Sequence, residues 1–336
     1  MRPTAGPGPS PTETAAPPAG AVSVLDLSGR DLSEVPASVR GRTSLRWLDL
    51  SGNRLSELPP WLGELTSLQR LDLDDNRFTR LPEEIGRLRD LRHLGLRDNG
   101  LDALPSGLGR AAGLLRLDLA GNRFTQVPDF CARLGQLRQL TLARNALTRL
   151  PEWLAELGGL RILDLQGNGI TRLPSACEPP AGLHVLGLGG NGLAEVPDWL
   201  GDASRLGVLD LSGNQVQRLP SALSRLSLLR RLDLSDNRLP QLPAWLGRLT
   251  ELTCLDVSGN ELTTLPAELA DLRKLTRLSA DRNQLSALPN RLGRLTALTW
   301  LSLTDNPLPG PPAWAAGLPQ LRWGEFRRPH WTPVLA

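Results

Sequence analysis

A chain of 336 residues is long enough for a large core, so internal repeats have to be sought before domains are counted. Its 38 basic and 35 acidic residues nearly cancel, and a formal charge of +3 argues little for a nucleic-acid partner. The three cysteines, Cys131, Cys177 and Cys254, form no CxxC pair, which excludes a zinc knuckle or thioredoxin-type motif and fits a reducing compartment.

Residues 1–20 are rich in Pro, Ala, Gly and Thr and hold no apolar run. They predict a disordered, polyproline-biased tail rather than a secretory signal. A Pro-rich tail also suits an SH3-like domain, although a plain tail is the simpler expectation. No stretch approaches eighteen consecutive apolar residues, so no membrane span is expected. The expected location is the cytoplasm, with export by a specialised system left open.

From residue 22 the chain falls into rows of twenty-three. Rows start at Val22, Leu45, Leu68 and so on without a slip to Leu321, which makes thirteen full repeats and the start of a fourteenth. The pattern is LxxLxLxxNxLxxLPxxLxxLxx. Its first part ends in a two-residue alternation, the period of a short strand with one buried face. In the second row Leu48 and Leu50 point inward, and Trp47 and Asp49 point out. An Asn then stands at a turn, where its amide is expected to bond backbone groups of that turn and of the adjacent repeat. The column comprises Asn53, Asn76, Asn99, Asn122, Asn145, Asn168, Asn191, Asn214, Asn237, Asn260, Asn283 and Asn306, with Arg30 standing in for it in the first row.

The second half of each row, LPxxLxxL, predicts one or two helical or 3-10 turns. Pro59 and its equivalents suit the first helical position, where no N–H is needed. No row buries its leucines alone, so rows must stack. The fold class is an α/β repeat solenoid: a curved horseshoe with a parallel concave β-sheet and short helical or 3-10 turns on the convex side. At about 4.8 Å per strand, fourteen strands give a sheet roughly 60 Å long. A Trp or Phe recurs two residues after the Pro (Trp61, Phe130, Trp153, Trp199, Trp245, Trp314) and is expected to pack over neighbouring turns.

These rows resemble the leucine-rich repeat family, specifically its twenty-three-residue intracellular class with Ras-group, Scribble-like and bacterial members. The resemblance covers residues 22 to about 323. It implies a horseshoe that binds proteins on its concave face, without saying which protein.

Two rows depart from the pattern. Row 160 has Pro180 in place of its second convex leucine, so no helix is expected there. Row 298 has Pro311 where a Leu is expected. After Leu321 the pattern is lost, and residues 321–336 are expected to cap the solenoid of residues 21–320 with Trp323, Phe326 and Trp331.

Nothing in the pattern points to catalysis. Lys274, the sole lysine, lies in DLRKL, so there is neither a P-loop nor a kinase-type lysine. His93 and His184 stand four rows apart, too far to share a metal or a triad. Cys131 and Cys177 occupy a convex leucine position and should be buried, whereas Cys254 should be the most accessible thiol. No catalytic residue, cofactor or metal is expected. The arginines on or beside the strands (Arg46, Arg70, Arg92, Arg116, Arg138, Arg161, Arg230, Arg231, Arg277, Arg322) run alongside a column of aspartates (Asp26, Asp49, Asp72, Asp118, Asp164, Asp210, Asp233, Asp256). Such paired, solvated charge fits a charge-complementary protein better than nucleic acid.

The third position of each row faces outward. In mid-stack Ile162, Val185 and Val208 are consecutive there, with Asp164, Gly187 and Asp210 at the next outward position. Gly187, with Gly189 and Gly190, should make a dip. Arg116, Arg138 and Arg161 flank this centre on one side, and Arg230 and Arg231 on the other. An exposed apolar centre with a charged rim is the anatomy of an interaction hot spot. The expected function is therefore a non-catalytic scaffold or adaptor binding a protein, with no nucleic-acid, membrane or metal partner. The alternative is a host-directed bacterial effector using the same surface.

Overall fold

The computed structural model describes residues 23–175, 177–318 and 320–323. The expected tail over residues 1–20, and the cap aromatics Phe326 and Trp331, lie outside the described residues, as does the side chain of Trp323.

Fourteen strands, from β1 (Val24–Asp26) to β14 (Arg322–Trp323), pair in chain order as one parallel sheet. A strand residue faces the same position of the next row, twenty-three residues on. Ile162 of β7 (Ile162–Asp164) thus faces Val185 of β8 (Val185–Gly187), which faces Val208 of β9 (Val208–Asp210). The final pair departs from this rule. Arg322 partners Trp300 and Trp323 partners Leu301, one residue off the register that row position implies.

Alternation places the fourth and sixth positions inside. Leu48, Leu50 and their equivalents are buried and join one continuous core along the stack. The convex side is made of 3-10 turns, mostly five residues long, such as Pro60–Glu64 and Glu83–Arg87. Pro59 precedes its turn instead of opening it. Its ψ of 140° is extended, and its carbonyl accepts from the Leu62 N–H. Pro179 and Pro180 interrupt row 160. Among its described residues no 3-10 turn forms between Asp164 and Val185.

Each Asn ties its row to the one before. Nδ2 of Asn122 donates to the carbonyls of Leu96, Leu119 and Ala120 at 2.8, 3.1 and 3.2 Å, while its Oδ1 accepts from the Leu101 N–H at 3.0 Å. The arrangement recurs from Asn53 to Asn306. At the start, Oδ1 of Asn53 accepts from both Arg30 and Leu32, so the residue replacing Asn in the first row is still held.

One regularity is absent from the leucine pattern. The eighth position of every row has a left-handed backbone, from Gly29 to Asp305, and Gly, Asp or Arg fills it. The chain must reverse there before the Asn, and Gly and Asp enter that region at low cost.

Candidate functional site

The concave face is built from the third, fifth and seventh positions of successive rows. Its expected apolar centre is more enclosed than alternation implies. Ile162 is 0% exposed and Val185 only 9%, and Val208 is half-buried. The inner side of an arc brings neighbouring side chains together, and Ile162 is flanked by Gln139 and Val185. The expected dip is likewise not open. A Cβ on Gly189 would lie 2.8 Å from the Ser212 hydroxyl and 3.0 Å from both carboxylate oxygens of Asp210, whose side chains fill that space. Gly187 is itself buried, and Gly190 belongs to the left-handed column.

The aspartate column serves the backbone first. Oδ1 of Asp164 accepts from the Gln166 N–H at 3.1 Å, that of Asp210 from Ser212 at 2.8 Å, and that of Asp118 from Ala120 at 3.0 Å. Each carboxylate thereby closes the turn after its strand, as Asp side chains do in Asx turns. Of the sequence-expected pairing with the arginine column, one clear case is Arg70. Its Nε lies 2.7 Å from Asp72, and its guanidinium stacks 4.6 Å over the Trp47 ring, whose Nε1 also donates to Asp72. Arg116, Arg138, Arg161 and Arg231 are exposed, while Asp164 and Asp210 are buried. The face therefore carries an outer cationic lane beside an inner acidic one.

Burial pushes the Asp164 carboxyl up to about 7, assisted by the charges of Asp118 and Asp210. Asp74 is pushed up to about 6, again chiefly by burial, although the Arg97 N–H at 2.7 Å opposes this. Asp118 is raised for the same reason. Burial, with Arg116 and Arg70 nearby, holds His93 below its ordinary value. Beside Asp164, the hydroxyl of Thr141 and Nε2 of Gln166 are buried with no partner among the described residues.

The thiols follow expectation at Cys131 and depart from it at Cys177 and Cys254. Cys131 is buried, and its pKa is pushed up to about 12 by that burial. Cys177 is half-buried, because row 160 forms no turn to cover it, and Cys254 is half-buried too. Burial raises both thiols, which disfavours a nucleophilic thiolate. The convex Trp61, Trp153, Trp199, Trp245 and Trp314 pack half-buried against the core, and Phe130 is buried. Among the described residues no group of three His, Cys, Asp or Glu could hold a metal ion, and no helix is long and apolar enough to cross a membrane.

The left-handed column and the Asx turns are what sequence reasoning missed. Both leave a trace in composition, as Gly or Asp at position eight and Asp at position five with Ser often two residues on.

The comparisons agree with this geometry. A leucine-rich repeat region model matches residues 20–140 and 221–308, and a leucine rich repeat model matches 112–170 and 181–239. A search of curated proteins gives no match. Among solved structures, a leucine-rich repeat protein of Leptospira interrogans is 29% identical, with a TM-score of 0.72 over 92% of this chain and 97% of that one. YopM from Yersinia enterocolitica is 30% identical, with a TM-score of 0.60 over 83% of this chain and 54% of its own. The ectodomain of the Arabidopsis thaliana receptor kinase GASSHO1/SCHENGEN3, solved in complex with CASPARIAN STRIP INTEGRITY FACTOR 2, is 32% identical, with a TM-score of 0.66. This chain covers 41% of that ectodomain's length and 90% of its own. Thirteen rows of constant length, one parallel sheet, an asparagine ladder along the stack and these matches together place the chain in the leucine-rich repeat family.

Proposed function

We propose that this chain is a non-catalytic interaction scaffold that takes a protein partner on the concave face of its middle rows. The observation that carries the reading is the layered charge of that face around β7, β8 and β9. Exposed Arg116, Arg138 and Arg161 lie on one side and Arg231 on the other, around a buried floor of Ile162, Asp164, Val185, Gly187 and Asp210, with Val208 half-buried among them. Arginine recognises carboxylates and backbone carbonyls through a planar fork, which suits a protein surface. That a similar ectodomain was solved in complex with CASPARIAN STRIP INTEGRITY FACTOR 2 supports a binding role.

The test is affinity capture from the native cell with the full chain as bait, set beside a bait carrying Arg116→Glu and Arg161→Glu. Both changes are on exposed side chains, and an unchanged melting temperature verifies the fold. A protein retained by the first bait and lost from the second is the expected result. Equal recovery on both baits would remove the concave face from the account.

A further inference from the structure

The middle rows build a second surface beside the sheet, where the chain climbs into each strand. Leu228 is 51% exposed there, and among the described residues it is the one large apolar side chain left so open away from the first strand. It occupies the last position of its row, which Arg205 fills in the row before and Glu251 in the row after. Gly207, at the second position of the same row as Leu228, places no side chain between His184 and Arg230, the residues of that column on either side. An open trough results, with Gly207, Val208 and Leu228 along it and Arg205, Arg230 and Arg231 around it.

The charge of this trough is one-sided. Among the described residues no acid lines it, and Glu251, the acid next along the column, is held by Lys274 at 2.5 Å while also feeling the charge of Arg230. Nδ1 of His184 donates to the Gly182 carbonyl at 2.5 Å, which turns that nitrogen toward its own turn. Three guanidinium groups thus gather at an exposed leucine in a chain whose overall charge nearly cancels.

We propose that this trough takes an acidic peptide segment of the protein partner. One apolar side chain of the segment rests on Gly207, Val208 and Leu228, and carboxylates on either side of it pair with Arg205 and with Arg230 and Arg231. Bidentate guanidinium–carboxylate bonds supply the charge recognition, and the apolar contact supplies the register. The trough spans about three strands, roughly 10 Å, the length of three to four extended residues. An acid–apolar–acid triplet is therefore the shortest segment that fills it. This proposal rests on the reading of the chain as a protein-binding scaffold and adds to it the chemistry of the ligand.

The experiment uses a fluorescein-labelled peptide, Gly-Ser-Glu-Asp-Leu-Asp-Glu-Ser-Gly, titrated with the full chain and followed by fluorescence anisotropy. Saturable binding that weakens with salt is expected. It should fall at least about tenfold, or about 1.4 kcal/mol, in the Arg205→Glu, Arg230→Glu double variant and again in Leu228→Ser. Arg248→Glu, on the convex side, should bind as the parent does, and a peptide with lysines replacing its acids should not bind. All four altered positions are exposed, so folding is not at stake. Absent binding, or binding unchanged in the double variant and in Leu228→Ser, would overturn the trough assignment. That failure is distinct from failure of the scaffold reading, because the capture experiment alters only Arg116 and Arg161, which are no part of the trough.

Discussion

Arg144 reaches across an entire repeat to Asp98, with Nη2 2.8 Å from Oδ1 and Gly121 standing between them. The same relationship recurs six rows on, where Arg282 passes over Gly259 to Asp236 at 2.9 Å. All six residues are in the left-handed eighth column. The middle residue is glycine in both cases, and a Cβ there would have to displace the aspartate, since it would sit 2.0 Å from the Asp98 carboxylate at Gly121 and 2.2 Å from that of Asp236 at Gly259. Gly121→Ala should therefore destabilise by about 1–2 kcal/mol in urea denaturation, through left-handed strain and displacement of Asp98. Arg144→Gly should be nearly neutral. An exposed ion pair contributes less than about 1 kcal/mol, and glycine relieves backbone strain of similar size. A larger loss in Arg144→Gly than in Gly121→Ala would show that the ion pair, not the backbone, governs this column.

Asn237 is buried, and its Nδ2 donates to Leu211, Leu234 and Ser235 while its Oδ1 accepts from the Val216 N–H. Asn306 makes the corresponding bonds at the C-terminal end of the stack, where its partner Thr304 is exposed. Asn237→Ala is expected to cost roughly 1–3 kcal/mol, because its backbone partners are left without bonds. Asn306→Ala should cost less, since water reaches part of the site. Chemical denaturation of both variants checks the order, and equal losses would contradict it.

The raised carboxyls of Asp164 and Asp74 tie stability to pH. The folded chain keeps the Asp164 proton up to about pH 7, whereas the unfolded chain loses it near 4. Between those values the folded state binds more protons, so stability falls as pH rises through the window. Asp74 acts likewise up to about pH 6. His93 opposes them, because its lowered value makes the folded state resist protonation below about pH 6.5. Asp164→Asn keeps an oxygen for the Gln166 N–H and removes the charge. It should raise stability at pH 8 by on the order of 2 kcal/mol and leave it nearly unchanged at pH 4. Denaturation midpoints at the two pH values decide this, and a uniform shift at both would refute the burial account.

The irregular seventh row predicts a local weakness on the convex side. Nε1 of Trp199 donates to the Pro174 carbonyl at 2.6 Å, and its ring lines an apolar cleft with Leu154, Leu173, Cys177 and Pro180, where other rows have a 3-10 turn. Trp199→Phe should cost about 1 kcal/mol for the lost bond, and Trp199→Ala about 3–5 kcal/mol. In Trp199→Ala the Cys177 thiol should also react faster with a maleimide, as the cleft opens. Unchanged labelling would indicate that Trp199 does not cover this segment.

The period, the parallel sheet and the core were legible in the sequence because each depends on leucine spacing alone. Pro180 likewise announced the irregular row. The sealing of Ile162 was not legible, because alternation states which way a side chain points but not how closely an arc draws its neighbours over it. Nor was the division of labour in the aspartate column. The pattern placed Asp164 opposite the arginines, yet a short side chain two residues before a turn amide bonds that amide first. Charges that look paired in a list of columns are therefore separated by depth, with Asp164 buried and Arg161 exposed.

The central claim is that the concave middle of the stack is where a partner docks. A photoreactive benzoylphenylalanine in place of Arg161, on the concave rim, and in a separate variant in place of Arg248, on the convex turn, tests it in living cells. A crosslinked protein adduct is expected on irradiation of the Arg161 variant and none from the Arg248 variant. An adduct formed only from position 248 would contradict it.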